Sequence, residues 1–129
     1  MPDVLVEVRG DWVSSRKAEF LDAIHGALVK SLRVPSEDKV LRLIEHRPEN
    51  FIIPSGVGQK FTHIEIAMFV GRSTDAKRAL YREIVRSLEH FGVPSHDVKV
   101  VLIEVPKENV GFRGGKAACD VATGYEAAI

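Results

Sequence analysis

Pro2 stands directly behind Met1, the position at which initiator methionine is usually trimmed when a small residue follows. Trimming would leave the chain beginning with a free secondary amine. Such an amine has a reference pKa of about 7.7–8.0, against about 10.4 for lysine, so it can take or give a proton near neutrality. Two further residues could work with it. Asp38 brings a carboxylate able to share a proton or position water, and Arg72 brings a guanidinium fork that grips a carboxylate through two hydrogen bonds. Together these types suggest proton transfer on a small carboxylate substrate. They matter only if the fold carries all three to one place.

The elements that must do so are written twice. Val34-Pro35-Ser36-Glu37-Asp38 returns 59 residues later as Val93-Pro94-Ser95-His96-Asp97, and Leu43-Ile44-Glu45 returns as Leu102-Ile103-Glu104. Self-similarity at a fixed offset marks a duplicated supersecondary unit. We expect a single domain over residues 1–129, with units of about 1–60 and 61–129. Each unit reads as strand, helix, strand. Val4, Val6 and Val8 alternate with Asp3, Glu7 and Arg9, the period of a half-buried strand. Ser14 or Ser15 is placed to cap a helix on which Phe20, Ile24, Leu28 and Leu32 recur every fourth residue, with Pro35 closing it. Val40 to His46 forms the second strand. In the second unit Ile64, Ile66, Met68 and Val70 alternate, Ser73 opens a helix bearing Leu80, Ile84 and Leu88, Gly92 and Pro94 end it, and Val98 to Val105 is the fourth strand. Residues 51–60 read as the loop between units and Gly111 to Gly115 as a flexible stretch.

A strand–helix–strand unit pairs its strands in parallel through a right-handed crossover. Two units related by a pseudo-twofold would meet at their first strands, antiparallel, in a four-stranded mixed α/β (α+β) sheet with two helices on one face. Pro2, Asp38 and Arg72 would then lie along one sheet edge. A ferredoxin-like order, with the first and third strands parallel, would send Arg72 to the far end. Pro2 and Arg72 also break the repeat, since their equivalents are Phe61 and Val13, whereas Asp38 is kept as Asp97. Retention points to a structural turn at Asp38, and its place beside Pro2 points to function.

Composition narrows the classes. Eighteen basic residues balance eighteen acidic ones, so no global field recruits nucleic acid or a membrane surface. The absence of a long apolar run and of a leader pattern, with Cys119 as the single cysteine, leads us to expect a cytoplasmic location. Gly111-Phe112-Arg113-Gly114-Gly115-Lys116 lacks the first glycine and the final Ser or Thr of a phosphate loop. No His-x-x-x-His or Cys-x-x-Cys occurs, and we expect no metal. Cys119 and Trp12 read as packing residues, and His46-Arg47-Pro48 as a strand-end turn.

The chain resembles the tautomerase superfamily, and within it malonate semialdehyde decarboxylase and its tautomerase-like relatives. The resemblance is carried by Pro2 after Met1, the duplicated units, His25-Gly26-Ala27, the Val-Pro-x-x-Asp that delivers Asp38, His46-Arg47-Pro48, Gly71-Arg72-Ser73 leading to Lys77, and the tail from Phe112 to Ala117. It implies a homotrimer without cofactor, with Pro2 as the catalytic amine, Asp38 as its proton or water partner, Arg72 as the substrate-carboxylate clamp and Phe112 as an aromatic pocket wall. One arginine stands where some decarboxylase relatives have two, and the tryptophan usual before the tail aromatic is absent near Val110-Gly111. Both departures point away from decarboxylation. The reading is therefore a tautomerase in which Pro2 is the base for keto–enol exchange of a small 2-oxo acid. Decarboxylation of a 3-oxo acid by protonated proline, and a non-enzymatic trimeric binding protein, are the alternatives.

Overall fold

The computed structural model describes residues 1–122, so the last residues of the second unit lie outside the described part. The first unit comprises β1 (Asp3–Arg9), α1 (Lys17–Leu32) and β2 (Val40–His46), and the second β3 (Thr62–Phe69), α2 (Thr74–Glu89) and β4 (Val98–Val105). The strand order is β2-β1-β3-β4. β1 runs parallel to β2 and antiparallel to β3, and β3 runs parallel to β4. This is the pseudo-twofold arrangement, and it excludes the ferredoxin-like order.

One face of the sheet is covered by both helices. Val4, Val6 and Val8 from β1 and Ile64, Ile66 and Met68 from β3 meet Phe20, Ile24, Leu28 and Leu32 from α1 and Leu80, Ile84 and Leu88 from α2 in one buried cluster. Removing an aliphatic or aromatic side chain of this size from water contributes about 1.5–3 kcal/mol, so this face holds the units together. No helix among the described residues is long and apolar enough to cross a membrane.

Several boundaries differ from the sequence reading. Ser14 has a positive φ of 57° and lies in a short 3-10 turn, and the N-cap of α1 is Arg16 without a side-chain cap. The Ser14 carbonyl instead accepts from Lys17 Nζ at 2.7 Å. α2 does begin as expected, with Ser73 Oγ accepting from the Ala76 N–H at 3.1 Å. α1 ends at Leu32 because Arg33 adopts a left-handed conformation and returns its N–H to Val29 O. The tail is not an open glycine stretch. Two short strands, β5 (Gly111–Phe112) and β6 (Lys116–Ala117), pair antiparallel, with Gly114 and Gly115 at positive φ supplying the reversal. Cys119, read as a packing residue, is exposed.

Candidate active site

Topology fixes what shares an edge. The pairing that sets Asp3 opposite Val40 brings residue 1 level with residue 38 when carried two residues back. The antiparallel pairing that sets Asp3 opposite Ala67 likewise places the start of β1 beside the end of β3. α1 returns to this edge at Leu32, and β4 delivers the tail there after Val105.

The Met1 amino group donates to Asp38 Oδ1 at 2.9 Å. Pro2 is buried immediately behind it. Asp38 is held by a turn in which its N–H donates to Pro35 O at 3.0 Å, and Asp97 repeats that turn with Pro94 O at 3.0 Å. His25 fixes the same loop, its Nε2 lying 2.7 Å from Ser36 O. Met1 packs into a second apolar cluster with Phe69, Ala118, Val110 and Phe112. The Phe69 and Phe112 rings meet edge to face with centroids 6.4 Å apart.

These residues wall a cavity of about 770 Å³, onto which Met1, Asp38 and Phe112 all open. Asp3 and Glu37 add acidic groups to its wall, and Arg113 and Lys116 add cations. The sequence reading met Arg113 and Lys116 only in a stretch rejected as a phosphate loop and did not place them at the site. The adjacent glycines signalled a reversal there, but two-residue strands have no periodicity to reveal which side chains they present.

Arg72 reaches the same edge but is not among the described residues lining the cavity. It is 8% exposed, and its Nη1 donates to Leu32 O, the carbonyl that ends α1, at 2.6 Å. The structure therefore brings Met1, Asp38 and Phe112 together, carries Pro2 beside them, and seats Arg72 on the end of α1. The pseudo-equivalent edge is closed. Phe61 is buried where Pro2 would be, Asp97 is 1% exposed, and Gly58 donates its N–H to Asp97 Oδ2 at 3.1 Å.

A sequence model of the tautomerase family, described as a tautomerase enzyme, matches residues 38–113, from Asp38 through the cavity wall to Arg113. The chain belongs to the tautomerase family. It is 43% identical over 54 residues to a 2-hydroxymuconate tautomerase of Comamonas testosteroni, a stretch covering 41% of this chain and 86% of that one. It is 27% identical over 124 residues to a probable tautomerase of Bacillus subtilis (strain 168), covering 91% and 97% of the two chains. Among solved structures, the FG41 malonate semialdehyde decarboxylase inhibited by 3-bromopropiolate aligns with a TM-score of 0.82 at 25% identity, over 89% of this chain and 92% of that one. A fused 4-OT solved as a symmetric trimer aligns with a TM-score of 0.81 at 25% identity, over 92% and 97%. This tautomerase-family chain is an enzyme of the isomerase class with malonate semialdehyde decarboxylase among its structural neighbours.

Proposed function

We propose that Pro2, once Met1 is removed, is the general base that interconverts keto and enol forms of a small 2-oxo acid. The observation that carries this reading is the 2.9 Å contact between the chain's amino group and Asp38, made at the wall of the cavity. Removing Met1 moves the terminal amine one residue inward, to the buried Pro2, and takes away the Met1 side chain that packs against Phe69 and Phe112. A base must lie within reach of the carbon-bound proton and have a partner to manage the proton it receives. Asp38 is that partner. It accepts a hydrogen bond from the Met1 amine, and on this reading it stabilises the protonated Pro2 amine between the two halves of the reaction. Phe112 provides the apolar wall, and Arg72, seated on the Leu32 carbonyl at the same edge, is the proposed carboxylate clamp. The family resemblance further supports a homotrimer, as the fused 4-OT neighbour forms. Exposed Val40, Ile44, Val101 and Ile103 on the helix-free sheet face are surface that such an assembly would cover.

Ketonisation of phenylenolpyruvate tests the reading. The trimmed protein should turn it over, and Pro2→Ala should lower kcat by about 10²–10⁴-fold, the usual contribution of a positioned acid–base group. Protein that keeps Met1, identified by intact mass, should be inactive because its Pro2 nitrogen is an amide. Equal rates for wild type and Pro2→Ala would overturn the mechanism. Carbon dioxide release from malonate semialdehyde without ketonisation would favour the decarboxylase alternative.

A further inference from the structure

We infer that the helix-free face of the sheet holds a divalent transition-metal site formed by Glu7, His63 and Glu65. The three side chains come from neighbouring strands. Glu7 on β1 lies directly opposite His63 on β3, and Glu65 stands two residues along β3 on the same face. One ligand atom from each lies within 4.8 Å of the other two, and among the described residues this is the one place where three such groups converge. His63 Nε2 is 3.5 Å from Glu65 Oε1. Tetrahedral bonds of about 2.0–2.2 Å to nitrogen and oxygen put neighbouring ligands about 3.3–3.6 Å apart, so side-chain shifts of about an ångström would close the cluster on an ion. One imidazole and two carboxylates form a donor set suited to Zn(II) and its first-row neighbours, with a coordination position left open.

Two other observations favour an ion over a self-contained ion-pair network. His46 Nε2 lies 2.9 Å from Glu7 Oε1, so Glu7 is already oriented by an outer partner as metal-bound carboxylates commonly are. The two carboxylates also converge without a permanent cation. Among the described residues no lysine or arginine forms an ion pair with Glu7 or Glu65, although Lys99 stands opposite His63 across β3 and β4. In the single chain the groups are about a fifth to two-fifths exposed, open enough for an ion to enter. Spacing along the chain cannot reveal such a site, because cross-strand pairing joins residues far apart in sequence.

Titrating untagged, chelator-stripped protein with Zn(II) by calorimetry and by competition with a chromophoric chelator tests this. Wild type should bind one equivalent per chain. Of the five histidines, His63, with His46 beside it, should show imidazole NMR shifts on addition of Zn(II). His63→Ala and Glu7→Gln should each weaken binding tenfold or more, at least the loss typical of removing even an outer partner. His90→Ala, a substitution at the far end of α2, should bind as wild type does. Unchanged far-UV circular dichroism would establish that the variants are folded. Failure of wild type to compete for Zn(II), or undiminished binding by folded His63→Ala, would overturn the proposal.

Discussion

Arg72 donates to Leu32 O, and Lys60 Nζ donates to Phe91 O at 2.9 Å. Leu32 and Phe91 are repeat equivalents, so the carbonyl closing each helical segment is capped by a cation supplied from a different loop. Cations at a helix C-terminus satisfy orphan carbonyls and oppose the negative end of the dipole. Arg72 thus has a structural duty besides the proposed clamp. Arg72→Leu should cost about 1–3 kcal/mol in chemical denaturation, because a buried carbonyl loses a charged donor. If Arg72 also grips substrate, the folded variant should show a raised KM for a carboxylate substrate. A loss of stability with unchanged KM would leave it only the cap. Sequence alone identified Arg72 as a break in the repeat, but not its partner, because contact with Leu32 depends on how α1 returns to the edge.

Asp97 shows what the repeat did with its second edge. Its Oδ2 accepts from Gly58, and a Cβ at Gly58 would stand 2.8 Å from that oxygen. Its Oδ1 lies 3.4 Å from His96 Nε2 but makes no hydrogen bond. Asp97→Ala should destabilise the fold by about 1–3 kcal/mol in urea or guanidinium denaturation, since it orphans the Gly58 N–H, while leaving the KM of the folded enzyme unchanged. A neutral effect on stability would mean that burying Asp97 costs as much as its hydrogen bond contributes. Alternation and helical spacing made the four long strands and two helices legible, and β2 and β4 have the expected bounds. The start of α1 was not, because it depends on a left-handed Ser14 and on a Lys17 side chain folding back. Strand direction in turn placed Pro2 and Asp38 together, since both precede parallel strands. Arg113 and Lys116 escaped because two-residue strands carry no period to show which side chains they present.

At the scale of the whole molecule, the helices cover one sheet face and leave the other with apolar strips at its outer strands, around Val40 and Ile44 on one side and Val101 and Ile103 on the other. Burying such strips between copies is favourable by about 25 cal/mol per Å² of apolar surface removed from water. Light scattering of the trimmed protein should give a mass three times the chain's 14.3 kDa. Ile103→Lys should shift that mass downward by placing a charge in the contact. A wild-type mass equal to one chain would overturn the homotrimer.

The closed second edge also bears on why the chain is double. The matched stretch of the 2-hydroxymuconate tautomerase covers most of that protein yet less than half of this one. In an assembly of identical short chains, both ends of every paired unit carry the same residues, so neither can change without the other. Joining two units in one chain removes that tie. One end can keep an amine, a carboxylate and an opening to solvent while its twin, with Phe61, Asp97 and Lys60, hardens into a buttress. A chain that carries two units can divide labour between its two ends.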